Sequence, residues 1–434
     1  MNYDLTSASA PKMPTLGKGT DSIKLLLSQC SKDMQESLVP MIFPILGAHL
    51  AETEFMYPDR SWKEMTGMMA CLVADSGAGK GQLTGLVEAV CADFRQHDKA
   101  ELQKLVEWQK LIKTKSANKE KPARPDVAFW IPPSDVTNAA FIQNAMACEA
   151  LGGRTQYLNL PEVEMADRMC GSHKQISQTM RNIYDRQRAG ALRATADGVT
   201  GNPILRVNMT ISSTPYAARK FFKNDLFNGT FGRMVFSYKP RVERSGRIPR
   251  QGAYSDEFQG RLNAYIARLN VCKGRFTVNI LNRLIDSLAM EMAALADLTD
   301  DDMLWDVSKR ALVSAWKAGC IMWILNGQAW SKHIGDMVVW LAYHDLWSKM
   351  QVFSDFLKST EAAVNEPCKT GPKNMLDSLP DSFSEAQLEA LRQQMNKTKD
   401  PRPQLNVWVQ RGFIVRSKQP GMYLKTDNYL KRRR

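Results

Sequence analysis

The chain has 434 residues, with 58 Lys and Arg against 45 Asp and Glu and a formal net charge of +13. That length holds two or three domains with real cores, and the positive balance favours an acidic partner, nucleic acid above all, over a small neutral substrate. No apolar run reaches the roughly 18 residues of a membrane span, the N-terminus lacks a signal-peptide layout, and the eight cysteines form no C-x-x-C pair, so a cytoplasmic chain with no membrane contact, disulfide framework or zinc site is expected.

Residues 1–20 are polar, carry Pro11 and Pro14, and are expected to form a mobile arm. Residues 21–49 place Ile23, Leu26, Leu27, Met41, Ile42, Ile45 and Leu46 at helical spacing, interrupted by Pro40 and Pro44. Helices packed beside the following strand are expected.

Residues 68–73 read as a buried strand running into a glycine-rich turn and then a helix over 82–92. Gly77, Gly79 and Gly81 let successive backbone N–H groups face one concavity at the helix N-terminus, where anions are favourable. Lys80 adds a mobile charge for outer phosphates, as the lysine of a Walker A loop does. The turn is therefore read as a P-loop for ATP, with Asp75, Ser76, Gly77, Ala78, Gly79, Lys80, Gly81 and Gln82 around the nucleotide. Two positions depart from the pattern: Ala74 stands at the first glycine, and Gly81 where a Ser or Thr usually holds Mg²⁺. The adenylate-kinase loop also has glycine after its lysine, but there a Thr follows and the loop stands near the start of the chain. A small-molecule kinase fits poorly.

A charged stretch over 96–124 reads as a helix and then a basic loop over 113–125, either a DNA-facing segment or a plain solvated face. Strands are expected at 127–131, 155–160, 204–213 and 233–238, with a helix over 136–151. Strands alternating with helices imply a parallel sheet covered on both faces. A complete strand and helix separate the P-loop from the acidic strand end at Glu162, the arrangement of P-loop ATPases that carry a catalytic glutamate. Glu162 would then stand opposite Lys80 and polarise the attacking water. Pro161 occupies the slot of the Asp that usually helps hold Mg²⁺, leaving Glu164 or Thr84 to reach the metal. Ser213 and Thr214 lie where a γ-phosphate sensor would stand, though Ser and Thr also cap strand-to-helix turns. Arg233 opens an apolar strand after two glycines and could serve a neighbouring subunit's site as an arginine finger, or be an ordinary surface arginine.

The ordered set of the Ala74–Lys80 loop, the turn at 134–141, the run 160–164, Ser213-Thr214-Pro215 and the run 228–236 resembles a family of P-loop ATPases from bacterial integrative elements, plasmids and phages. These are often encoded with or fused to primases and are taken as replicative helicases. The similarity spans roughly residues 20–350. It implies a RecA/AAA-like α/β fold, nucleotide binding through Lys80, catalysis by Glu162, and Arg233 acting in trans within a homo-oligomeric ring, a hexamer among the possible sizes. A primase or other replication protein is an implied partner. The family has Asp-Glu at 161–162 and Ser or Thr at 81, so the departures bear on hydrolysis and not on the fold.

Residues 255–355 are helical by pattern, a bundle core packed on the sheet. The expected domains are an arm at 1–20, the ATPase at 21–250, a helical domain at 251–360, a linker at 361–373 and a C-terminal domain at 374–434. In the last, helices at 374–379, 384–395 (capped by Ser384) and 403–411 precede a β-hairpin over 413–426, which together make a winged helix. Most of the net positive charge lies beyond residue 396. Arg402, Arg411, Arg416, Lys418 and Lys425 are the expected DNA contacts, while protein docking is the other use of such a domain. Two functions follow: a DNA-dependent ATPase motor of a mobile element, or an ATP-binding, DNA-binding scaffold with little hydrolysis.

Overall fold

The computed structural model describes residues 5, 7, 9–114, 122–169, 173–190, 199–223, 225–226, 229–241, 250–299, 302–365, 376, 378–394, 401–410, 412–417, 419–426 and 429. The chain divides into two compact units, Met1–Ser354 and Asp355–Arg434.

Unit 1 opens with α1 (Asp21–Leu27), α2 (Lys32–Gly47) and a hairpin of β1 (Thr53–Met56) and β2 (Trp62–Glu64). Then come β3 (Met69–Val73), α3 (Gln82–Val90), α4 (Ala92–Thr114), α5 (Asn138–Ala150), β4 (Gln156–Leu160), α6 (Glu164–Met169) and α7 (His173–Tyr184). After β5 (Val207–Ser213), α8 (Pro215–Phe222), the short α9 (Thr230–Arg233) and β6 (Val235–Tyr238), the chain continues as α10 (Asp256–Val271), β7 (Gly274–Phe276), α11 (Asn279–Thr299), α12 (Asp302–Leu325) and α13 (Lys332–Asn365), whose residues from Asp355 on fall in unit 2.

The main sheet is α/β in character: four parallel strands in the order β4-β5-β3-β6. Val73 pairs with both Ser213 and Tyr238, so the carboxyl ends of β3, β5 and β6 emerge on one edge. β5 alternates apolar and polar residues, and all seven are buried, as a sheet covered on both faces requires. Helices cover both faces, and the polar side chains find partners inside. Asn208 donates to Pro44 O and Met65 O, each at 3.1 Å, and accepts from Met68 N at 2.9 Å. Thr210 meets the Tyr157 hydroxyl.

Both edges of this sheet are closed by side chains. Phe236 and Tyr238 turn their outer amides toward α13, where Asp345 Oδ1 accepts the first at 2.7 Å and Ser348 Oγ the second at 3.0 Å. At the opposite edge, residues 127–131 were expected to form a strand and instead run as an extended segment without a ladder. Trp130 O accepts from Tyr157 N at 2.7 Å, but the outward amides go to side chains. Asn144 Oδ1 takes Phe129 N at 2.7 Å, and Asp98 takes Trp130 N and Ile131 N at 2.8 Å each. Pro132 and Pro133 deny the segment two further donors.

Other expectations are corrected. The prolines do not break α2, which runs through Pro40 and Pro44 as one buried helix against β3, β5 and β6. Its Ser37 and Pro44 carbonyls accept from Ser237 Oγ (2.8 Å) and Asn208 Nδ2 (3.1 Å), so packing outweighs the missing ladder bonds. The N-terminal segment is not a free arm. Trp340 Nε1 donates to Pro11 O at 2.7 Å, Trp347 Nε1 to Ser7 O at 2.8 Å, and Leu5 is buried. The β1–β2 hairpin and β7 form a small second sheet that the helical pattern hides; Phe55 and Phe276 seat it on Trp323. Residues 115–121 of the expected basic loop lie outside the described residues.

Among the described residues two histidines lie fully inside unit 1. His344 Nε2 meets Ser237 Oγ at 2.9 Å while its Nδ1 has no partner among the described residues, and burial holds its pKa down at about 3. His49 is held at about 4, chiefly by burial, against the pull of Asp93. The unfolded chain therefore takes up these protons first as pH falls. The corresponding stability is complete above about pH 6.5 and is lost progressively toward the folded pKa values, by up to about 1.4 kcal/mol per pH unit for each histidine. Urea titrations at pH 7 and pH 5 are expected to show this loss, and His344→Gln to flatten it. An unchanged pH slope in the variant would remove His344 from the account.

Unit 2 contains β8 (Ser382–Ser384), α14 (Glu385–Gln394), α15 (Arg402–Gln410), β9 (Ile414–Arg416) and β10 (Met422–Lys425), with an antiparallel sheet ordered β8-β10-β9. Leu376, Phe383, Leu388, Leu405, Trp408 and Ile414 form its core. Ser384 caps α14 as expected: it accepts from Gln387 N at 3.2 Å while Gln387 Oε1 takes Ser384 N at 2.8 Å, a reciprocal capping box. Among the described residues from 374 on the unit has two helices and a third strand, not three helices and a hairpin. The expected helix over 374–379 lies partly outside them, and Leu376, Ser378 and Leu379 are in turns and bends.

Candidate functional site

The site is built at the carboxyl edge of β3. From Ala74 the chain turns through Asp75–Gly81 into α3, and Gly77 (φ +76°) and Gly79 (φ +94°) take the left-handed conformation that the turn requires. Gly81 does not need to be glycine. Its φ is −57° and a Cβ there would meet nothing within 4 Å.

Lys80 folds over its own loop, donating to Ala74 O at 2.7 Å and Asp75 O at 2.9 Å. Partial burial lowers its pKa, opposed by the negative charges of Asp75 and Glu162. Glu162 therefore stands close enough to act on the Lys80 ammonium through space. It is exposed just past the end of β4, with Glu164, also exposed, opening α6. Since β5 separates β3 from β4 in the sheet, the lysine loop and the acidic strand end face each other across one intervening strand end.

That strand end is Ser213-Thr214. Ser213 O accepts from Ala74 N at 3.1 Å, which ties β5 to the first residue of the loop. Ser213 Oγ donates to Thr214 O at 3.0 Å, and Thr214 Oγ1 caps α8 by accepting from Ala217 N at 3.2 Å. The capping alternative raised by the sequence is thus what Thr214 does.

Gln82, expected beside the nucleotide, is used elsewhere. It is buried, accepts from Ser31 N at 2.8 Å and donates to Ser31 Oγ at 2.9 Å, fastening the start of α3 to the start of α2. Asp75 and Ser76 are exposed, and Ala78 is half-buried.

Sequence reasoning missed Lys239. It is buried just past β6, donates to Ala78 O at 3.2 Å and pairs with Asp33 at 2.5 Å, so it holds the loop at a carbonyl that Lys80 does not use. Burial would raise the Asp33 carboxyl, but its bonds to Lys239 and Ser31 prevail and hold it below the usual range. Only the β3–β6 register brings Lys239 here, and no local motif announces it. Arg241, exposed, lies 3.9 Å from Asp75.

Arg233 does not open a strand; it ends the turn of α9 at the amino edge of the sheet, away from its own loop. It is held in cis, with Nη2 2.7 Å from Asp185 Oδ2 and Nη1 2.8 Å from Gly229 O, and its side chain is 14% exposed. Arg310 approaches the same Asp185, at 4.0 Å, and both guanidiniums lie over the Tyr184 ring.

In unit 2, Arg402 and Arg416 are exposed. Lys425 is not a surface contact: its side chain is 1% exposed, donates to Leu379 O at 2.7 Å and lies 3.6 Å from Asp381. Its place at the end of β10 turns it under the sheet. Arg411 and Lys418 lie outside the described residues.

Chemically, a left-handed glycine turn at a helix N-terminus offers amides to an anion, and a neighbouring lysine adds charge. Among the described residues no group of three or more His, Cys, Asp and Glu side chains converges to hold a metal ion, and Gly81 offers no hydroxyl. No helix among the described residues is long and apolar enough to cross a membrane. A scan against protein-family models finds no match to the chain, and neither does a search of curated proteins.

Proposed function

We propose that this chain is a DNA-dependent ATPase, a ring-forming helicase or replication-initiation motor of a mobile element. The observation that carries the reading is the sheet order β4-β5-β3-β6, with the Lys80 loop and Glu162 on one edge and Lys80 within the field of Glu162. The Asp75–Gly81 turn acts as a P-loop for ATP, arriving as its Mg²⁺ complex, and Lys80 leaves its loop carbonyls for the outer phosphates. Glu162 orients the attacking water, and Ser213 lies one strand end from both. Gln82 and Lys239 position the loop. Arg233 serves a neighbouring subunit only if that contact replaces Asp185. Unit 2 is read as a winged helix that meets DNA through Arg402 and Arg416, and a primase or other replication protein is the expected partner in the cytoplasm.

Gly81 and Pro161 favour a second reading, an ATP-gated DNA scaffold with little turnover. Steady-state ATP hydrolysis with and without single-stranded and duplex DNA separates the two. The motor predicts stimulation by DNA. It also predicts a gain in turnover for Gly81→Thr, which the open space at that Cβ accommodates. ATP binding without turnover in either protein, whatever DNA is added, leaves the scaffold.

A further inference from the structure

The loop and its neighbours leave one face of α8 unused. At 3.6 residues per turn, Tyr216, Arg219, Lys220 and Lys223 fall within one arc of about 100°, while Ala218, Phe221 and Phe222 are buried on the other side. Tyr216 is 74% exposed, a full aromatic ring standing in water. Lys220 and Lys223 are exposed and Arg219 is half-buried near Tyr238. Among the described residues none of these three cations has an ion-pair partner, and α8 contains no acid.

We propose that this face is a contact for single-stranded nucleic acid, with a base stacked on Tyr216 and backbone phosphates neutralised by Arg219, Lys220 and Lys223. Sequence-tolerant binders of single strands combine these two elements, a stacking ring and a basic track. An anionic membrane would attract the same charge, but the apolar side of α8 is packed into the protein and has nothing to insert into lipid.

The position gives the contact a consequence. Tyr216 lies two residues beyond Thr214, and Ser213 holds Ala74 at the start of the loop. A strand gripped by α8 therefore pulls on the same β5 end that borders the nucleotide site. The inference rests on the DNA part of the proposed function and assigns it a second location, apart from unit 2.

The test uses the full chain and a fluorescein-labelled oligo-dT, read by anisotropy over a salt series. Tyr216→Ala is expected to weaken binding about tenfold and Tyr216→Phe by no more than about twofold, as removal of one stacking ring implies. Replacing Arg219, Lys220 and Lys223 by Ala should flatten the log–log salt dependence by about 0.7 for each phosphate that is no longer neutralised. Oligonucleotides carrying 5-iododeoxyuridine should photocrosslink to the peptide that contains Tyr216. If wild type binds oligo-dT but the variants bind equally well and crosslinks fall only within residues 374–434, the α8 contact is wrong while the DNA reading survives. If wild type binds no DNA, both fail. Binding to phosphatidylserine vesicles that Tyr216→Ala abolishes, with oligo-dT affinity unchanged, would make α8 a membrane contact and overturn the inference.

Discussion

Lys80→Ala is expected to abolish measurable ATP binding, and Glu162→Gln to leave binding intact while stopping turnover. Lys80 is the loop's own cation and already engages two carbonyls, Ala74 O and Asp75 O, which an anion would replace as partners. A charge-assisted hydrogen bond contributes about 1.5–3 kcal/mol. Two such bonds to phosphate therefore correspond to a loss of about a hundredfold or more in affinity. Glu162 stands in solvent at the strand end, and its carboxylate acts on Lys80 without being consumed by any bond to it. The amide of Gln keeps the shape and removes the negative charge and the basicity, for which a fall of about 10²–10⁴ in turnover is expected. Calorimetric titration with a non-hydrolysable ATP analogue checks the first variant, and single-turnover hydrolysis the second. Should Lys80→Ala bind nucleotide as wild type does, the loop is an ordinary glycine turn.

Asp345→Ala is expected to destabilise unit 1 by about 3–5 kcal/mol, the cost of leaving one partner of a buried ion pair uncompensated. Asp345 and Lys349 are each 2% exposed and lie 2.7 Å apart on successive turns of α13. Burial pushes the Asp345 carboxyl up, opposed by Lys349 and by the Phe236 amide it accepts. Truncation strands both the ammonium, which among the described residues otherwise meets the Phe231 and Phe236 rings at about 6 Å, and an edge amide of β6. Denaturant unfolding monitored by tryptophan fluorescence gives the change directly. The double variant Asp345→Ala/Lys349→Met should recover much of the loss, because the charge left behind is the larger part of the penalty. A single variant as stable as wild type would mean that water reaches the pair.

Much of the framework was legible because it rests on local signals. The run Met69–Val73, the glycines after it and Ser384 as a helix cap all act through neighbours in sequence. What the sequence hid depends on distant partners. Residues 127–131 have the composition of a strand, and only the arrival of Asp98 and Asn144 from two helices decides that their amides bond to side chains. Lys425 looks like a DNA contact until β10 turns it beneath Leu379. Likewise Gln82 belongs by position to the loop and by geometry to Ser31. The segment at 1–20 reads as a free arm because its anchors, Trp340 and Trp347, lie more than 300 residues away.

The side-chain caps on both margins of the main sheet constrain how copies of this chain can associate. Unsatisfied strand edges invite a neighbouring backbone to continue the ladder, and here the outward amides of Phe236, Tyr238, Phe129, Trp130 and Ile131 are already spoken for. Association of copies through this sheet would therefore use side-chain surfaces and not a continued ladder. Contacts of that kind can loosen and re-form as a ligand comes and goes, whereas a shared ladder would lock the copies together.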